Sequence, residues 1–155
     1  HFGAVLRKSG TEEPDYTPRK GEKLPKQWSA FAKELDIALP AGKALLFGQS
    51  LYWVPEELPE LGGIKVLRAG LELGEVKQDR FIPAHALALW LKTAAANTCQ
   101  EYAPDSKEIA DYLHGETPPT QTKGWCLVTT GGYSIGWGKC DGKVLKNHYP
   151  KGLRR

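Results

Sequence analysis

Between Lys139 and Arg155 the sequence interleaves cations, an amide and aromatic rings: Lys139, Lys143, Lys146, Asn147, His148, Tyr149, Lys151, Arg154 and Arg155. Cations neutralise phosphates, and Tyr or His rings stack on unpaired bases, so these residue types suit a nucleic-acid contact. Six cations and one acid, Asp141, fall in this stretch, whereas the other 138 residues hold 15 basic and 17 acidic groups. A basic end on a near-neutral body implies a polyanionic partner. A strand with one wet face and a solvated tail would give the same spacing, so charge alone leaves both readings open. If Lys143–Tyr149 is extended, alternation puts Lys146 and His148 on one face and Asn147 and Tyr149 on the other.

Catalytic chemistry is harder to find. Gly131-Gly132 and Gly136-Trp137-Gly138 lie in a hairpin pattern with no helix following, so they read as turn and packing glycines rather than a cofactor loop. His1, His85, His114 and His148 are scattered, and none has a second ligand candidate nearby. Glu56, Glu57 and Glu60 form a cluster that fits a solvated loop better than a hydrolytic carboxylate pair. Cys99 reads as a small residue at a helix end. Cys99, Cys126 and Cys140 are odd in number and widely spaced, which argues against a disulfide framework and a zinc site. No metal site is expected. A reducing, cytoplasmic compartment is expected.

The elements that would position the basic stretch are read from periodicity. Trp125–Thr130, Tyr133–Lys139 and Lys143–Tyr149 are three strands, joined at Gly131-Gly132 and Asp141-Gly142, where positive φ is tolerated. So small a meander needs partners, and closure against the extended run Ile64–Ile82 into a small barrel is predicted. Upstream, His1–Lys8 reads as a strand and Ser9–Lys26 as a mobile linker rich in Pro and Gly. Trp28, Phe31, Ala32 and Leu35 recur at helical spacing over Gln27–Leu35. Ala44–Phe47 and Leu51–Val54 are strands on either side of Gly48; Gly62-Gly63 marks a turn. A helix is predicted from Pro83 to about Ala95, and another over Asp105–Leu113, capped by Asp105 with Glu108 and ended by Gly115. Tyr52, Trp53, Trp125 and Trp137 are expected mostly in the core. The longest apolar stretch, Ala84–Leu91, is broken by His85 and too short for a bilayer, so no membrane partner is expected. The sequence has no Met and opens on His1-Phe2-Gly3, so a piece of a longer protein is expected.

Several segments together carry a family resemblance: Leu51-Tyr52-Trp53-Val54-Pro55, Lys65–Leu71, Pro83–Ala88, Ile135–Lys139 and above all Leu145-Lys146-Asn147-His148-Tyr149-Pro150-Lys151-Gly152-Leu153-Arg154. The chain resembles the C-terminal region of the bacterial 16S ribosomal RNA cytosine-5 methyltransferases of the Nop/Nol/Sun class. His1-Phe2-Gly3-Ala4-Val5-Leu6 resembles the last strand of that family's catalytic domain. The resemblance implies an α+β chain in three parts. Residues 1–26 would be the catalytic domain's last strand and a linker, 27–62 an accessory subdomain, and 63–155 a PUA-like RNA-binding β-pseudobarrel with flanking helices. It implies S-adenosylmethionine and two catalytic cysteines in a separate N-terminal domain, with no cofactor and no catalytic residue in this chain. Ribosomal RNA and that N-terminal methyltransferase domain are the implied partners. The implied RNA contacts are Lys143, Lys146, Asn147, His148, Tyr149, Lys151 and Arg154, with Arg68 and Lys139 as secondary candidates. A protein-interaction module docking on the catalytic domain is the alternative.

Overall fold

The structure, a computed structural model, describes residues 20–59, 66, 68–93 and 96–155. The expected strand His1–Lys8 and the turn at Gly62-Gly63 lie outside the described residues. The described end of the expected linker is pinned, because Glu22 N–H donates to Ala44 C=O at 2.8 Å.

Helix α1 (Lys26–Leu35) forms where the sequence places Trp28, Phe31 and Leu35 on one stripe, and all three are buried. It ends at Asp36, whose φ of 55° is left-handed. Strands β1 (Lys43–Phe47) and β2 (Ser50–Val54) make a hairpin. Strand β3 (Leu71–Val76) pairs with β2, and β4 (Phe81–Pro83) pairs with β3, giving an antiparallel sheet in the order β1-β2-β3-β4. Helix α2 (His85–Trp90) follows. Strand β5 (Cys99–Glu101), helix α3 (Lys107–His114) and strands β6 (Lys123–Thr130), β7 (Tyr133–Asp141) and β8 (Leu145–Asn147) complete the chain. The second sheet runs β5-β6-β7-β8, with β5 parallel to β6 and the other pairs antiparallel. A short 3-10 turn, Lys151–Leu153, closes the chain. The fold is α+β, and no helix among the described residues is long and apolar enough to cross a membrane.

The two sheets share one core. Phe31 of α1 meets Phe81 of the first sheet at 5.1 Å between ring centroids, and Trp125 and Trp137 of the second at 6.1 and 5.5 Å. Helix α2 is bonded to both sheets. Ala84 N–H donates to Leu73 C=O at 3.0 Å, and the Trp137 indole N–H donates to Ala84 C=O at 2.9 Å. Strand β6 is buried on both faces, which explains its unbroken apolar run. Trp125 and Leu127 face this shared core, and Cys126 and Val128 face a second cluster with Ile109 and Tyr112 of α3.

Several local expectations change. The described part of the Ile64–Ile82 region does not close against the C-terminal meander: β3 bonds to β2 and β4 to β3, and the edge of β6 is taken by β5. Periodicity identifies strands but carries no information about which edges meet. Pro83 ends β4 opposite Gly74 instead of opening a helix, and α2 begins at His85 and stops after six residues. An outermost strand has backbone positions with no partner, so a residue without an N–H is tolerated there. Ser106, rather than Asp105, caps α3, its Oγ accepting from Ile109 N–H at 3.3 Å. Cys99 opens β5 rather than ending a helix.

The meander's two turns work differently. Gly131 and Gly132 both take positive φ, 55° and 81°, as a tight hairpin turn requires. Asp141 stays in β7, and its carboxylate accepts from Lys143 N–H at 2.8 Å and Val144 N–H at 2.9 Å. The third strand is shorter than expected for that reason, starting at Leu145.

Candidate nucleic-acid interface

Three residues line up across adjacent strands of the second sheet. Trp125 on β6 is the register partner of Lys139 on β7, which is the partner of Lys146 on β8. Directly opposed residues project from the same face, so the two ammonium groups and the indole share it. His148 joins them, its ring lying 4.6 Å from that of Trp125 between centroids. Lys139 Nζ sits 5.6 Å from the Trp125 ring centroid, close enough for a cation–π contact. Trp125 itself is only 9% exposed, so it supports the two cationic groups rather than offering an open stacking surface.

Among the described residues neither Lys139 nor Lys146 has an acidic partner; the described ion pairs are Lys77–Glu75 and Lys107–Asp111. Both lysines are exposed. Burial, then the nearby Lys146 and Lys139, hold the His148 imidazole below its ordinary range. Near neutral pH the face therefore carries two full charges and one uncharged ring that can gain a third charge on acidification.

The remaining candidates are placed unevenly. Asn147 is fully engaged: its Nδ2 donates to Tyr112 C=O at 2.7 Å and Glu116 C=O at 2.8 Å, and its Oδ1 accepts from Tyr149 N–H at 2.8 Å. The Tyr149 ring packs against His85 and Tyr112, at 5.5 and 5.4 Å. Arg154 lies against Gly115 and donates from Nη2 to Tyr149 C=O at 3.2 Å, which folds the C-terminal segment back onto α3. Lys143 is exposed on the Asp141 turn, beside a recess lined by Gln100 and Thr120. Lys151 is exposed in the 3-10 turn. Arg68 is exposed beside Phe47 and Tyr52 of the first sheet, and no described contact joins it to the C-terminal cluster.

The glycines expected to serve turns and packing do so. A Cβ on Gly136 would strike the Tyr112 hydroxyl, and one on Gly138 would strike Leu145. Among the described residues no glycine loop leads from a strand into a helix. No group of three or more His, Cys, Asp or Glu among the described residues is arranged to hold a metal. Sequence spacing did not foresee the meeting of Cys126 and Cys140, whose Sγ atoms lie 3.0 Å apart, buried, as free thiols. Burial pushes the Cys126 thiol well up.

Sheet and helices thus define a two-module α+β protein with a basic face on its second module. Residues 99–155 match the family model for the methyltransferase RsmF PUA domain, and residues 30–91 match that for the RsmF rRNA methyltransferase first C-terminal domain. Two relatives from Aliivibrio fischeri, strains ES114 and MJ11, are each named ribosomal RNA small subunit methyltransferase F. Each is 27% identical over 168 aligned residues, covering 99% of this chain and 35% of the relative. The chain belongs to the RsmF methyltransferase family, of which it carries the first C-terminal domain and the PUA domain. It spans about a third of the length of these relatives.

Proposed function

We propose that this chain grips ribosomal RNA and presents it to a methyltransferase domain of the same polypeptide. That domain would methylate a cytosine at C5, and S-adenosylmethionine would be its cofactor, not this chain's. The work would be done in the cytoplasm. The observation that carries the reading is the line Trp125–Lys139–Lys146 with His148, where two lysines lie on adjacent strands without acidic partners among the described residues. Cations so placed attract the sugar–phosphate backbone and fix its register without reading sequence. Lys143, Lys151 and Arg68 would extend the contact at its margins, and the half-buried Tyr149 would meet RNA by its exposed edge. Asn147 and Arg154 would serve RNA binding by holding the β8 segment and C-terminal turn in place.

One observation favours a second reading, docking on the catalytic domain. Leu89 and Trp90 of α2 are 58% and 42% exposed, and Tyr133 at the start of β7 is 78% exposed. Ser134 Oγ donates to Ala88 C=O at 2.6 Å, which brings these groups into one neighbourhood. Affinity for 16S ribosomal RNA fragments at two salt concentrations separates the readings. Binding that falls steeply with salt supports RNA gripping. No RNA binding at low salt, with salt-independent binding to the methyltransferase domain, replaces it by docking.

A further inference from the structure

A cleft of about 220 Å³ lies where the two modules meet. One wall is α1, with Gln27 and Glu34; another is the β3–β4 turn, with Asp79 and Arg80; the third is Trp125 and Lys139 of the second sheet. We propose that this cleft receives one unpaired RNA base. The inference rests on the RNA-gripping reading above and extends the contact from the PUA sheet onto the first module.

The floor is apolar and aromatic. Phe31, Phe81 and Trp125 line it, packed ring against ring and only 4, 4 and 9% exposed, so a base would rest on their narrow exposed margins rather than on an open ring face. The rim is polar and of mixed sign. The side chains of Glu34, Asp79 and Arg80 are exposed and make no hydrogen bond or ion pair with described residues. The carboxylates of Glu34 and Asp79 offset the charges of Arg80 and Lys139, so the rim offers a phosphate no net charge, and charges at the rim disfavour a purely apolar ligand. A flat heterocycle with apolar faces and donors and acceptors along its edge fits both surfaces, which is how unpaired bases are recognised. Carboxylate acceptors favour bases that carry an exocyclic amino group, so guanine, adenine and cytosine fit better than uracil.

The walls are fixed before any ligand arrives. Gln27 Nε2 donates to Lys77 C=O at 3.1 Å and Gln78 C=O at 3.2 Å, which ties the β3–β4 turn to α1. On the opposite side Gly124, with φ 80°, leaves the space beside Glu34 open; a Cβ there would lie 2.5 Å from Glu34 Oε1. Lys139 belongs both to this cleft and to the cationic line, so a strand tracking Lys146 and Lys139 passes the cleft mouth.

The test compares a short single-stranded RNA of mixed sequence with the same strand stripped of its bases. The intact chain should prefer the strand with bases by about tenfold, the scale of one base held on an aromatic surface. Ala30 is exposed on α1 and lines the cleft. Ala30→Phe fills the cleft without deleting a contact and should abolish most of that preference while leaving the salt dependence unchanged. Arg80→Ala and Glu34→Gln should each reduce the preference severalfold, and the urea midpoint of every variant reports whether it is folded. A folded Ala30→Phe variant that keeps the full preference overturns the cleft while the gripping reading stands. If neither strand binds the intact chain, the gripping reading fails and takes the cleft with it.

Discussion

Removing Lys139 and Lys146 together tests the proposed interface most directly. They are register partners on adjacent strands, about 4.8 Å apart along the sheet, and neither is neutralised by a described acid. Each phosphate neutralised releases condensed counterions. The slope of log affinity against log salt is then roughly −0.7 per contact on single strands and −0.9 on duplex. If each lysine meets one phosphate, Lys139→Ala/Lys146→Ala should flatten the slope by about 1.4 to 1.8 units. A fourfold rise in salt then weakens the intact chain about 7 to 12 times more than the variant. Fluorescence anisotropy of a labelled 16S ribosomal RNA fragment, titrated at several salt concentrations, reads the slope. Lys107→Ala is the control, because that ammonium is already paired with Asp111 at 2.6 Å within α3, and it should leave the slope unchanged. A double variant with the same slope as the intact chain would remove this face from the interface, whatever its effect on absolute affinity.

Two further outcomes follow from the packing beneath that face. Tyr112 is fully buried and donates from its hydroxyl to Trp137 C=O at 3.0 Å, but that carbonyl also accepts from His148 N–H at 3.2 Å. Tyr112→Phe should therefore cost only about 0.5–1.5 kcal/mol in urea unfolding, since no acceptor is stranded. Because the same hydroxyl occupies the space of a Gly136 side chain, Gly136→Ala should cost less in the Tyr112→Phe background; strict additivity of the two changes would contradict this. His148 is held below its ordinary value by burial first and by Lys146 and Lys139 next, so the unfolded chain takes up that proton more readily than the folded one. Its contribution to stability is complete above about pH 6.5 and is lost as pH falls through the folded value, and His85, lowered by burial, acts in the same direction. RNA affinity should move oppositely, rising on acidification as the face gains a charge. His148→Gln should blunt both trends, and an unchanged pH dependence of affinity in that variant would exclude this ring from the contact.

Much of the local structure was legible in the residues themselves. The 3.6-residue recurrence of Trp28, Phe31 and Leu35 sets α1, and Gly131-Gly132 sets the first turn of the meander, because these signals act over a few neighbouring residues. The basic stretch and its alternation were legible for the same reason, and so was the family resemblance, which the matches to both C-terminal domains support. Caps and strand ends were less so. Ser106 and Asp105 are equally able to cap, and only the backbone path of the Ala103–Ser106 turn chose between them.

What tertiary structure alone decided is which edges and faces meet. Nothing in Ile64–Ile82 says that its strands join β2 rather than the meander, because strand pairing depends on where distant edges come to rest. Folding also gave the candidates Asn147 and Arg154 internal partners, by bringing the carbonyls of Tyr112, Glu116 and Tyr149 within reach. It set Lys139 over Trp125, and placed Arg80 and Glu34 around the same cleft. Sequence fixes which groups are available and their local rhythm; long-range packing decides which are spent inside the protein and which remain for a ligand.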